Sequence, residues 1–168
     1  AIDCIRGASR LCKSACNFSY RASIFKEHPE WVLMRVALKL KPGDSKKGQE
    51  LVREYTQRRV FTQDIGKSSA GSVFKNVAPL EGAKLSPGVK TAGSGPADFI
   101  AVSSLIEAAG LKGTKIGGVM VSPKHANFII NTGEATAEDI IMLIGLIKER
   151  IHRKFGIQLE EEIQYVGF

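Results

Sequence analysis

Ser72 lies in the string Ser69-Ala70-Gly71-Ser72-Val73-Phe74-Lys75-Asn76. Its small neighbours let a ligand come close to both the hydroxyl and the backbone. A hydrolase nucleophile elbow needs Gly-x-Ser-x-Gly, and Phe74 stands where the last glycine belongs. Gly66-Lys67-Ser68 ends like a phosphate-binding loop, but Phe61 occupies the place of that loop's first glycine. Near the end of the chain Glu160, Glu161 and Glu162 form an acidic run. In an extended backbone residues 160 and 162 share a face and 161 points away. As bare residues these groups also fit plainer roles. Ser72 fits a turn serine, the glutamates a solvated edge, His125 a satisfied structural histidine and Arg59 a surface arginine at a helix end. Cys4, Cys12 and Cys16 are odd in number, form no Cys-x-x-Cys pair and have no histidine at zinc-ligand spacing. They read as reduced thiols of a cytoplasmic protein, with no metal site.

The elements that must position these residues follow from periodicity. Trp31 to Leu40 alternates Val32, Met34, Val36, Leu38 and Leu40 with Arg35 and Lys39, which predicts a half-buried strand. Pro42-Gly43-Asp44 ends it, and Ser45 opens a predicted helix to about Arg59. Residues 61–76 read as a loop. Residues 77–98, with three prolines and several glycines, read as an irregular surface insertion. Phe99 to Ala109 predicts a short helix stopped by Gly110. Lys115 to Val121 and Asn127 to Asn131 predict two strands. Thr136 with Asp139 resembles a capping box, and Ile140, Ile144, Ile147, Ile151 and Phe155 recur at helical spacing up to Gly156. A last strand is predicted over Ile157 to Val166. The order mixes strands and helices without a βαβ repeat. The expected class is α+β, a mostly antiparallel sheet with helices packed on one side.

The bulk properties narrow the function classes. The chain has 168 residues, 43% hydrophobic and 24% charged, enough for a core without staples. No apolar run approaches the ~20 residues that span a bilayer, and no basic leader precedes an apolar stretch. The net charge of +7 is scattered and lacks aromatic interleaving, which favours an anionic small molecule over nucleic acid.

The strings Ser-Ala-Gly-Ser-x-Phe-Lys-Asn at 69–76 and Phe-Gly-Ile-x-Leu-Glu-x-Glu at 155–162, in this order, resemble the UDP-N-acetylenolpyruvoylglucosamine reductase family, specifically its carboxy-terminal, substrate-binding part. Three further stretches are similar to family segments: Tyr20 to Lys26, Ser104 to Gly113 and Ser122 to Asn131. The sequence departs from the family pattern at Ala22 (usually Asp), Asp64 and Val77 (both usually Pro) and Gln164 (often basic).

The resemblance implies that Ser72 is the proton donor and that Glu162 stabilises charge on the enolic carboxylate. It places Tyr20, Arg59, Lys75, Asn76 and His125 at the substrate and Arg21 and Gly71 at the cofactor. Residues 1–30 become a remnant of the flavin-binding domain's edge, and 31–168 the substrate-binding domain. FAD would be bound mainly by an amino-terminal half absent from this chain, with NADPH as hydride source and UDP-N-acetylglucosamine enolpyruvate as substrate. The missing half is itself an expected partner. No nucleic acid or membrane partner is expected. The alternative is a non-catalytic module of the same fold that binds a UDP-sugar.

Overall fold

The computed structural model describes residues 10–78, 88–92 and 99–167. Cys4 and most of the predicted insertion lie outside them. The chain divides into two compact units, Ala1–Gln49 and Glu50–Phe168.

In the first unit a 3₁₀ turn, Lys13–Cys16, and a single helical turn, α1 (Ile24–Glu27), hold an aromatic group together. Phe25 lies 6.4 Å from both Phe18 and Trp31, and the His28 ring stacks on Trp31 at 4.2 Å. The strand expected over Trp31 to Leu40 does not form. Alternation gives a strand two faces, but a ladder also needs a hydrogen-bonding neighbour. Among the described residues no strand ladder includes this segment.

Helix α2 (Ser45–Thr62) begins at the predicted serine and runs three residues past Arg59. The Asp44 carboxylate accepts the Lys46 N–H at 2.8 Å, which satisfies one orphan donor at the helix start. No residue of α2 is buried.

The second unit carries the core. Strands β1 (Thr91–Ala92) and β2 (Phe99–Ile100) pair antiparallel, so part of the predicted irregular insertion is ordered by pairing. The helix expected from Phe99 starts later, as α3 (Val102–Ala108), because residues 99 and 100 are held in β2. The single strand expected over Lys115 to Val121 is a hairpin of β3 (Lys115–Ile116) and β4 (Val119–Val121), turned at Gly117-Gly118. Strand β5 (Ile129–Asn131) joins β4, again antiparallel, giving the order β3-β4-β5.

Helix α4 (Ala137–Phe155) packs on β3, β4 and α3. Its capping box is complete. The Thr136 hydroxyl accepts the Asp139 N–H and the Thr136 N–H donates back to the Asp139 carboxylate, each at 3.1 Å. The same carboxylate oxygen accepts the Gly118 N–H at 3.1 Å, tying the hairpin turn to the helix start. A Cβ at Gly117 would run into this carboxylate, and one at Gly118 into the backbone of Gly133 and Ala135. Glycine is therefore required at both positions by close approach. Gly156 ends α4 at φ +69°, the left-handed cap its position predicts.

Leu143, Ile144, Ile147 and Ile151 of α4 are buried against Val119, Val121, Val102, Leu105 and Ile106. Burying each such side chain contributes roughly 1.5–3 kcal/mol, so this stripe fixes the helix to the sheet. The fold is α+β with antiparallel pairing throughout the described ladders.

Candidate active site

Gly71 has φ +84°, so the chain enters the Ser72 segment through a bend that favours glycine. From there residues 72–75 run between two other segments. On one side Ser72 forms an antiparallel bridge with Phe128, and the Val73 N–H donates to the Asn127 carbonyl at 2.9 Å. On the other side Phe74 bridges Glu161. There the Lys75 N–H donates to the Glu160 carbonyl and the Glu162 N–H donates to the Val73 carbonyl, both at 2.8 Å. The serine segment is thus a short inner strand, with the end of β5's approach on one flank and the acidic run on the other. The strand expected over Ile157 to Val166 is reduced to this brief pairing, flanked by buried Ile157 and Leu159.

The backbone adjacency sets the side chains. Lys75 and Glu160 stand opposite each other and form an ion pair. Glu161, on the other face, pairs with Lys148 at 2.8 Å. The Lys148 ammonium holds the Glu161 carboxyl below its ordinary value, with a smaller contribution from a hydrogen bond to Tyr165. Glu162 is partly buried and sits across from Val73, one residue from Ser72.

Asn127 secures this arrangement. It is buried, its side-chain oxygen accepts the Phe74 N–H at 3.0 Å, and its side-chain NH₂ donates to the Phe74 carbonyl at 2.9 Å. The carboxamide thereby imitates a strand neighbour for Phe74, whose side chain is buried in the core. The sequence reading gave Asn127 no role of its own. A single polar residue in Ala-Asn-Phe-Ile-Ile has no spacing that marks it, and only its place in an otherwise apolar run is a signal.

The other expected site residues fall as follows. The Asn76 side-chain oxygen accepts the Val102 N–H at 3.2 Å, so it serves as a cap for α3, whose own N-cap Ala101 has none to offer. His125 is half-buried, its ring 4.5 Å from Phe128, and its Nδ1 is buried without a hydrogen-bond partner. Burial holds its pKa below the ordinary 6.5, and the Lys112 charge adds to this. The His125 and Lys124 N–H groups both donate to the Ser122 hydroxyl, which in turn donates to Asp64. This last contact gives a role to the aspartate at one of the sequence's departures. Arg59 lies exposed on α2, its Nε donating to Gln63 at 3.0 Å. Tyr20 and Arg21 belong to the first unit, where the Arg21 guanidinium lies over the Tyr20 ring at 5.4 Å from its centroid. The structure therefore joins Ser72, Lys75, Asn127 and Glu162 through the backbone bonds of residues 72–75, with the residues beside His125 on its flank, while Asn76 bonds to the start of α3.

Residues 63–166 match the family model described as UDP-N-acetylenolpyruvoylglucosamine reductase, C-terminal domain. The reductase of Carboxydothermus hydrogenoformans is 40% identical over 152 residues, covering 90% of this chain and 43% of that protein. The reductase of Rubrobacter xylanophilus is 36% identical over 158 residues, 94% of this chain and 46% of that protein. A crystal structure of the reductase from Thermus caldophilus superposes with a TM-score of 0.64 at 29% identity, over 92% of this chain and 47% of that one. The chain thus spans just under half the length of these relatives. A family model covering most of the chain and a shared fold lead to one conclusion: this chain belongs to the UDP-N-acetylenolpyruvoylglucosamine reductase family, and residues 63–166 are its carboxy-terminal domain.

Proposed function

We propose that the chain is the substrate-binding and proton-donating part of a cytoplasmic reductase. That enzyme would convert UDP-N-acetylglucosamine enolpyruvate to UDP-N-acetylmuramate for peptidoglycan precursor synthesis. The observation that supports this reading is the Glu162 N–H donating to the Val73 carbonyl at 2.8 Å, which sets Glu162 beside the residue that follows Ser72. Cys12 and Cys16 are free thiols, and among the described residues no helix is long and apolar enough to cross a membrane.

A Cβ at Gly71 would meet nothing within 4 Å, so the backbone there is open to a cofactor's edge. FAD, when bound, supplies the hydride carrier, with NADPH as the source. Reduction adds a hydride to the terminal vinyl carbon. The double-bond electrons move to the adjacent carbon and its carboxylate, and a proton must then reach that carbon. Ser72 Oγ delivers this proton. Serine is a weak acid, but the carbanion is a far stronger base, and a well-placed donor contributes ~10²–10⁴-fold. Glu162 would stabilise the charge that builds on the enolic carboxylate. Strict strand alternation would send the side chains at 72 and 162 to opposite faces. The reading therefore requires the Gly71 bend to turn the hydroxyl toward the Glu162 side. Lys75, Arg59, Asn76 and His125 would orient the diphosphate, sugar and carboxylate.

The test is substrate-dependent NADPH oxidation by a full-length reductase carrying this chain as its carboxy-terminal half. Turnover is expected from that protein, and none from this chain alone with FAD and NADPH. If the full-length protein binds the UDP-sugar but never reduces it, the chain is a binding module instead.

A further inference from the structure

Ser122 is fully buried, and its hydroxyl uses every hydrogen-bonding capacity it has. It accepts the His125 N–H at 2.9 Å and the Lys124 N–H at 3.1 Å, and it donates its one hydrogen to the Asp64 carboxylate. The direction of that hydrogen decides where the two lone pairs point. A carboxylate can only accept, so Asp64 leaves the hydroxyl one orientation and turns both lone pairs to the bend at 122–125. Asp64 is one of the positions at which the sequence departs from the family pattern, and the proline usual there has no side-chain acceptor.

The bend adjoins the serine segment. The Phe128 N–H donates to the His125 carbonyl at 2.9 Å and the Ser122 N–H to the Phe128 carbonyl at 2.8 Å. Phe128 in turn bridges Ser72. No bond from Nδ1 holds the His125 ring, which rests on Phe128 at 4.5 Å, so its place follows the backbone of the bend. The segment that carries Asp64 is anchored as well. The Asp64 carbonyl accepts the Lys67 N–H at 3.2 Å, and the Ser68 carbonyl accepts the Asn131 N–H of β5 at 2.9 Å.

We propose that Asp64 is a positioning residue for substrate binding: through the Ser122 hydroxyl it fixes the 122–125 bend and so holds His125 beside the Ser72 segment. The inference rests on the reading that His125 meets the substrate. Asp64 acts through Ser122 and not on the reacting atoms, so its loss weakens substrate binding and leaves the chemical steps alone.

The test uses a full-length reductase carrying this chain, with the enolpyruvyl UDP-sugar as substrate. Asp64→Ala should raise KM about five- to tenfold with kcat within about twofold, while NADPH reduces the flavin at its normal rate. Asp64→Asn keeps an acceptor for the Ser122 hydroxyl and should hold the rise to about twofold. His125→Ala should also raise KM, and adding Asp64→Ala to it should raise KM no further, because both act through one group. A contact that served stability alone would lower the urea midpoint and leave KM unchanged. Normal KM in Asp64→Ala, or in Asp64→Asn should the alanine variant not fold, overturns the proposal. If His125→Ala raises KM in that case, the reading of His125 stands without it. Normal KM in His125→Ala ends both. Multiplying effects in the double variant overturn the proposal alone, since Asp64 then acts by another route.

Discussion

Removing the Asn127 carboxamide would leave the N–H and C=O of Phe74 buried without partners, on the strand that also carries Ser72. Each stranded group costs about 1–3 kcal/mol, so Asn127→Ala should lower the unfolding free energy by roughly 2–4 kcal/mol in urea titration. A loss under about 0.5 kcal/mol would mean that water replaces the carboxamide. His125 makes a second prediction at this scale. Its folded pKa lies below the ordinary 6.5, so below that pH the unfolded chain binds more protons than the folded one. The His125 contribution is therefore complete above pH 6.5 and is lost as pH falls through the depressed folded value. His125→Phe should flatten that part of the stability profile, and an unchanged profile would show that the ring is solvated. The strings around Ser72 and Glu162 were legible because several chemically unusual residues stand close together. Asn127 and the Asp64–Ser122 contact were not, because each joins positions more than 50 residues apart and leaves no local pattern.

Helix α4 and the segment Trp31 to Leu40 had equally clear periodicity, and only the helix formed. The signals of α4 are satisfied within the chain: the capping box lies within Thr136 to Asp139, and the apolar stripe meets β3, β4 and α3. A strand's ladder must come from a neighbouring strand, and among the described strands none pairs with 31–40. Thr136→Ala should therefore cost about 1 kcal/mol, read as a lower denaturation midpoint with unchanged slope. Gly118→Ala should cost more, about 1–3 kcal/mol, because its Cβ lands on the backbone of Gly133 and Ala135, which cannot turn aside. If the two substitutions proved equally mild, the hairpin turn would not be braced against the start of α4. The predicted Lys115–Val121 strand was misread for a related reason. Two adjacent glycines look like a weak point in a strand, whereas here they make a turn tight enough for Asp139 to reach the Gly118 N–H.

At the scale of the molecule, buried apolar residues of the core run from Val73 to Leu159, and the family match begins at residue 63. The family match sets the carboxy-terminal domain at residues 63–166. The net charge of +7 gave no sign of where that match begins, since basic residues are spread along the chain. The central claim is that the hydroxyl at 72 and the carboxyl at 162 act on one reacting enol. Stopped-flow separation of the two half-reactions tests it most directly, in a full-length reductase carrying this chain. With Ser72→Ala or Glu162→Gln, reduction of the flavin by NADPH should keep its normal rate, while its reoxidation by the enolpyruvyl substrate slows by ~10²–10⁴-fold. Reoxidation at the normal rate in either variant would contradict the account.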